Sequence, residues 1–354
     1  MANSKIRVAI IDDYQSIAAA KFSHLGSRID IKSFSDHIDP STPQGKDALI
    51  KRLQPFTVIA TMRERTAFDD DVLQSLSNLK LLLTTGIKNS VIHTAASAER
   101  NIILANASGY GNSDGAGKLP TSHDSTLEHC WALILGISRY IARDNASIKH
   151  GCWETSSATG LRGKTLGLLG LGTLGSRVAA IGASAFGMVI LAWSSTLTQE
   201  LADQKARAFG LPEGTFRVAG SKEELLQAAD ILTIHYVLSE RSRNLLGAME
   251  LALMKPSALL VNTSRGPLIN EEALIDILRQ GKIRGAALDV YNVEPLPRNS
   301  IWRTTPWGCE GRSEVLLSPH MGYVEEGVMN RWYEETAANL ELWLDGKELP
   351  NLSD

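Results

Sequence analysis

Thr165-Leu166-Gly167-Leu168-Leu169-Gly170-Leu171-Gly172-Thr173-Leu174-Gly175 decides the fold of this chain. Its first five residues form an apolar run of strand length, and small residues from Ser176 to Ala185 follow with helical character. The glycines of Gly170-x-Gly172-x-x-Gly175 therefore fall where a strand turns into a helix, the setting that raises this motif above chance. Gly170 permits the tight turn, Gly172 lets a pyrophosphate approach the backbone, and Gly175 lets the helix lie close on the strand. Thr173 and Leu174 open that helix, whose free N–H groups and positive dipole end favour phosphate. The stretch predicts a dinucleotide-binding unit with Gly170, Gly172, Thr173, Leu174 and Gly175 around the cofactor.

The following strand, Met188–Trp193, runs into Ser194-Ser195-Thr196, and the first acid beyond it is Glu200. NAD-selective folds usually place Asp or Glu there to hold the ribose hydroxyls. Here no carboxylate repels a 2′-phosphate and three hydroxyls can hydrogen-bond one. Ser194, Ser195 and Thr196 are thus candidate cofactor contacts, and the expectation leans toward NADPH over NADH.

Outward from this motif, short apolar runs alternate with helical patterns, which predicts parallel sheets flanked by helices. In the first third the strands are Arg7–Ile11, Ile29–Phe34, Thr57–Ala60, Lys80–Thr84 and Ile102–Ala105, with helices such as Pro43–Leu53 and Asp70–Leu76 between them. After the glycine loop come Ile231–His235, Ala258–Asn262, Gly285–Leu288 and Val315–Leu317. A helix is expected from Ser125 to about Ala142, with Ser125 as N-cap and Glu128 completing a capping box. The final residues, rich in Glu and Leu, read as a closing helix. Between Asn106 and Asp124 the rhythm breaks at Gly109, Gly111, Gly115, Gly117 and Pro120, which predicts an exposed, mobile loop.

Composition narrows the function classes. The 354 residues suit about two domains, with the 44% hydrophobic and 21% charged content of a globular protein. A net charge of -3 argues against nucleic acid as a partner. No apolar run reaches the ~18 residues of a membrane span, and Val8–Ile11, which ends in Asp12-Asp13, reads as a buried strand and not a signal peptide. Cys130, Cys152 and Cys309 have no metal-like spacing and cannot all pair, so no metal site and a reducing, cytoplasmic location are expected.

Three residues downstream of the glycine loop could do carbonyl chemistry. Arg265 follows a strand end, where a guanidinium can hold a carboxylate in bidentate fashion and polarise a carbonyl. His320, just past Val315–Leu317, can give a proton to a developing alkoxide and take one back. Glu294, in Val293-Glu294-Pro295, can orient the imidazole and favour its protonated form. Taken singly, each has an ordinary structural alternative. Their order behind a dinucleotide loop makes an oxidoreductase the stronger reading.

The chain resembles the D-isomer-specific 2-hydroxyacid dehydrogenase family, which includes glyoxylate/hydroxypyruvate reductases. The resemblance is carried by Gly163–Gly172, Leu253–Pro256, Val261–Gly266, Ala287–Tyr291 and Ser318–His320. It implies an α/β protein of two doubly wound parallel-sheet domains. A Rossmann cofactor domain, 127–320, is inserted in a flavodoxin-like substrate domain of 1–126 and 321–354, with the active site in the cleft. It implies hydride transfer between NAD(P)H and a 2-oxo acid / D-2-hydroxy acid pair, with Arg265 on the substrate carboxylate and Glu294 orienting the acid/base His320. Asp289 is implied at the nicotinamide carboxamide, Thr263 is a further cofactor candidate, and the loops at Arg63-Glu64 and Thr85-Gly86 are implied around the substrate carboxylate. A homodimer through the cofactor domains is also implied.

Some features stand outside this pattern. Residues 109–125 are about ten longer than expected, as a surface insertion or as a flap. The stretch Pro297–Arg312 adds Trp302 and Trp307, which either wall the pocket or pack their own loop. Two alternatives to the general reductase stand: an NAD(P)-sensing interaction protein of the same fold, and a specialised biosynthetic reductase of a bulky 2-oxo acid.

Overall fold

The structure, a computed structural model, describes residues 5–86, 89, 91–109 and 122–349. The chain divides into two compact units, Met1–Thr121 with Glu325–Asp354, and Ser122–Val324.

Among the described residues of the first unit, β1 (Ile6–Ile10), β2 (Ile29–Ser33), β3 (Val58–Thr61), β4 (Leu81–Thr85) and β5 (Ile103–Ala107) form one parallel sheet, ordered β2-β1-β3-β4-β5. Every residue of β3 and β4 is buried, as expected of a parallel strand covered on both faces. Helix Pro43–Leu53 starts where the Thr42 hydroxyl accepts from the Gly45 N–H, with Pro43 pre-set in its first turn. Asp69 caps Asp70–Ser75 through the Val72 N–H. Helix Glu326–Leu344 closes the unit against β4 and β5, its first amides held by the Glu325 carboxylate and Trp332 sunk in the core.

The second unit holds β6 (Thr165–Leu169), β7 (Val189–Trp193), β8 (Phe216–Val218), β9 (Ile231–Ile234), β10 (Leu259–Asn262), β11 (Gly285–Leu288) and β12 (Glu314–Leu317) in a parallel sheet ordered β12-β11-β10-β9-β6-β7-β8. Alternation along each strand feeds two cores. Leu166, Leu168, Leu259, Val261 and Ala287 enter one, while Leu169, Leu260, Ala286 and Leu288 enter the other. The strand order reverses at β6, which lies between β9 and β7. Open α/β sheets bind ligands at such a reversal.

The structure adds one strand to the sequence reading and corrects or refines others of its expectations. The strand β8 has only three residues at the sheet edge, one of them an exposed arginine, too short to carry a periodic signal. The helix expected over 125–142 is two helices, Ser122–Ser138 and Ile141–Lys149, separated where Tyr140 takes a left-handed φ of 54°. Ser125 is therefore inside the helix, not its N-cap, and its hydroxyl donates to the Gly322 carbonyl at 2.9 Å. Trp131, Leu133 and Ile137 are core residues of this unit, while the exposed apolar surface lies further on, at Ile141, Ile148 and Trp153. Trp302 is buried and Trp307 donates its indole N–H to the Trp302 carbonyl at 3.1 Å, so these rings pack their own loop. Most of the 109–125 insertion lies outside the described residues.

Candidate active site

The glycine loop joins β6 to helix Thr173–Ser184. Gly170 has φ +95° and a Cβ there would stand 2.5 Å from the His235 carbonyl oxygen, so both conformation and space demand glycine. A Cβ on Gly175 would stand 2.3 Å from the Gly170 oxygen, the close helix–strand approach expected of the third glycine. Over Gly172 a Cβ would meet nothing within 4 Å. That open face beside a helix N-terminus, on a loop otherwise filled to contact, fits a pyrophosphate.

Hydrogen bonds tie this loop to both neighbouring strands. The Gly170 N–H donates to Trp193 O at 2.9 Å, and the His235 N–H donates to Leu169 O at 2.8 Å. His235 retains some surface, but its Nδ1 is enclosed, and burial pushes the imidazole down to about 4. It is a neutral hydrogen-bonding group beneath the loop, with Nε2 3.1 Å from Thr233 Oγ1. At the end of β7, Ser194 is half-buried, and Ser195 and Thr196 are exposed.

Arg265, Glu294 and His320 follow the carboxyl ends of β10, β11 and β12, which are neighbours in the sheet. The Asn262 side chain folds the first of these loops, donating to the Arg265 carbonyl at 3.0 Å and accepting from the Ser264 N–H at 3.0 Å. Ser264 Oγ reaches back to Ile234 O on β9 at 2.7 Å. Beyond it, a Cβ on Gly266 would fall 2.2 Å from the Tyr291 carbonyl, so the arginine and glutamate loops are in direct contact. Glu294 accepts from the Tyr291 N–H at 2.8 Å with Oε1, and its Oε2 lies 2.5 Å from His320 Nδ1. With Nδ1 engaged, Nε2 is the ring nitrogen left for proton exchange. The Tyr291 phenol donates to Leu288 O and Ser318 O, and burial pushes it well above the usual tyrosine range, with Asp289 adding to the shift.

His320 sits at φ +55°, a left-handed conformation that costs a β-carbon residue roughly 1–3 kcal/mol. Asp289 holds it there. Its backbone carbonyl accepts from the His320 N–H at 2.8 Å. Its carboxylate accepts from the Met321 N–H at 2.7 Å, the Gly322 N–H at 2.9 Å and His129 at 3.1 Å. Burial alone would push this carboxyl up, but the His129 bond and charge, the Met321 amide and Ser318 outweigh it and hold it below the usual range. Asp289 thus has structural partners inside the unit. His129, within helix Ser122–Ser138, also lies 2.9 Å from Ser318 Oγ. Sequence reading missed His129, a histidine in an apolar helix with no motif around it, and assigned no role to Tyr291 and Ser318, although both lie in the stretches that carry the resemblance. Thr263 is buried beside Asn262.

In the first unit, the loops after β3 and β4 meet. Arg63, at φ +49°, donates its N–H to Thr85 Oγ1 at 3.1 Å, and Asn89 donates to the Arg63 carbonyl at 2.5 Å and to Thr84 Oγ1 at 2.9 Å. The Gly86 N–H donates to Ala107 O at 2.8 Å. The amides of Arg63 and Gly86 are therefore engaged within the unit. The Arg63 guanidinium lies 5.6 Å over the Trp332 ring and pairs with Glu64 at 3.4 Å, a partly buried ion pair packed on an aromatic face. Ile87 lies outside the described residues.

Residues 131–322 match the family profile described as the NAD-binding domain of D-isomer specific 2-hydroxyacid dehydrogenases. The D-3-phosphoglycerate dehydrogenase of Methanocaldococcus jannaschii is 31% identical over 287 residues, 80% of this chain and 49% of that protein. The chain thus spans about half the length of that relative. The hydroxypyruvate reductase of Thermotoga maritima is 31% identical over 300 residues, 84% of this chain and 86% of that protein. Among solved structures, a phosphoglycerate oxidoreductase from Vibrio cholerae superposes with a TM-score of 0.81 at 31% identity, covering 96% of this chain and 99% of that one.

Proposed function

The chain belongs to the D-isomer-specific 2-hydroxyacid dehydrogenase family, and on that premise we propose that it is an NAD(P)-dependent oxidoreductase interconverting a 2-oxo acid and a D-2-hydroxy acid. The observation that carries this reading is the delivery of Arg265, Glu294 and His320 by three adjacent strand ends, with the glutamate bonded to the histidine, in the unit that holds the glycine cradle.

Bound at the loop, a reduced nicotinamide supplies the hydride. Arg265 holds the substrate carboxylate and polarises the ketone. His320 donates its Nε2 proton to the oxygen as negative charge develops, and Glu294 at Nδ1 favours the imidazolium that must be present beforehand. Asp289 acts from behind by holding His320 and the two residues after it in one conformation. By resemblance to the family, the loops at Arg63-Glu64 and Thr85-Gly86 are proposed beside the substrate carboxylate and Thr263 beside the cofactor, with the Arg63 and Gly86 amides, already hydrogen-bonded within their unit, not offered as the donors. NADPH is the proposed preference because the end of β7 lacks an acid. A homodimer through the cofactor unit is proposed on the exposed Ile141, Ile148 and Trp153, and sedimentation velocity on dilution would read it as a monomer–dimer shift. Three free cysteines suit a reducing compartment.

The test is a cofactor-oxidation screen against glyoxylate, hydroxypyruvate, phenylpyruvate and branched 2-oxo acids. Turnover with one of them, lost by at least about a hundredfold in His320→Ala, supports the assignment. Tight cofactor binding with no turnover on any would favour a sensing role.

A further inference from the structure

We propose that Tyr236 is a specificity-determining residue for the cofactor, and that its hydroxyl and Ser195 together form a donor pair for the 2′-phosphate of NADPH. The inference rests on the dinucleotide reading of the glycine loop and adds to it a residue outside that motif. Tyr236 stands two positions past β9, and Ser195 stands two positions past β7. The strand β6, with the glycine loop at its end, lies between them in the sheet. The tyrosine spans that gap. Its hydroxyl accepts from the Ser195 N–H at 3.3 Å and lies 3.2 Å from Ser195 Oγ. Its ring, with Trp193 and Leu238, packs on the apolar core of that face, so the hydroxyl is held from below.

Counting protons gives the pair its selectivity. The Ser195 N–H is directed into the Tyr236 oxygen. Of the two hydroxyl protons, one is spent between the two oxygens. The other points outward, from tyrosine or from serine according to which one donates within the pair. The site therefore presents a donor whichever way the pair is arranged. A phosphate dianion offers only acceptors and is matched by such a donor. A ribose 2′-hydroxyl is best held by a carboxylate acceptor, and residues 194–199 contain none.

The experiment is calorimetric titration of NADP+, NAD+ and 2′,5′-ADP into the full chain and into Tyr236→Phe, Ser195→Ala and the double variant. Tyr236→Phe keeps the ring, and Ser195 is exposed, so at least one of the pair should fold with a wild-type circular dichroism spectrum. Either single variant keeps one hydroxyl whose proton is free to face outward, so NADP+ and 2′,5′-ADP should weaken by no more than about threefold. The double variant removes both hydroxyl protons, and there loss of a hydrogen bond to a charged group should weaken NADP+ and 2′,5′-ADP by roughly tenfold, with NAD+ changed by less than about twofold. Equal weakening of NAD+ and NADP+ in the double variant, or no change in either, would overturn the proposal while leaving the dinucleotide site intact. Failure of the wild-type chain to bind any of the three would overturn the dinucleotide reading itself.

Discussion

Asp289→Asn should destabilise the protein far more than one buried isosteric change would suggest. The carboxylate is 1% exposed and serves three donors, the Met321 and Gly322 amides on opposite oxygens and the His129 imidazole. An asparagine keeps a single acceptor oxygen. Its NH2 must face one of the two amides, donor against donor, in a site that water does not reach. One orphaned amide costs about 1–3 kcal/mol, and loss of the charge weakens the remaining bonds, for a total of about 2–4 kcal/mol. That is a large fraction of the roughly 5–15 kcal/mol holding a typical native fold.

Guanidinium unfolding, followed by circular dichroism and tryptophan fluorescence, would measure the gap. Its pH dependence has a definite sign. The folded carboxyl is held below its ordinary 3.8, so the wild-type advantage is fully present above that value and is lost as the pH falls through the depressed one. The gap should be level between pH 8 and 5, within about 0.5 kcal/mol, and close only in stronger acid. A gap under about 1 kcal/mol at pH 7, or one that widens on acidification, would refute Asp289 as the anchor behind His320.

Three further outcomes follow from the same geometry. Gly172→Ala should leave stability within about 0.5 kcal/mol and weaken dinucleotide binding, whereas Gly175→Ala, with a Cβ 2.3 Å from Gly170 O, should lower stability by about 1–3 kcal/mol in thermal unfolding. Arg265→Lys should fail to rescue Arg265→Ala in kcat/KM, because a point charge cannot replace a bidentate fork; recovery to near wild type would remove that role. Glu294→Gln should reduce kcat while cofactor Kd stays within about twofold, and an unchanged kcat would separate Glu294 from the chemistry.

Local signals carried much of this protein. The strands Thr165–Leu169 and Gly285–Leu288 and the helix Pro43–Leu53 were legible to the residue, because unbroken apolar runs and a Thr-Pro start are local in origin. Signals failed where an element takes its stability from neighbours. The strand β8 is held by pairing with β7, and Ser125 resembles an N-cap only until its partner proves to be Gly322, about two hundred residues on. The break likewise falls on Tyr140 itself, a residue type that does not favour the left-handed conformation it takes there.

Arg265, Glu294 and His320 could be chosen from sequence because each follows a strand and each residue type has a chemistry. That choice said nothing of how they are held. The order β12-β11-β10 sets the three side by side, and Asn262, Gly266 and Asp289 brace them through bonds between residues far apart in the chain. The same holds for Tyr236, an ordinary tyrosine in sequence, which acquires a role only when parallel pairing brings the ends of β7 and β9 to either side of β6. Sequence by itself determined most of the elements, the glycine cradle and the kind of chemistry, since these are written in local residue patterns. Tertiary structure alone decided which polar groups are buried together, because burial and long-range hydrogen bonding exist only once the sheet has formed.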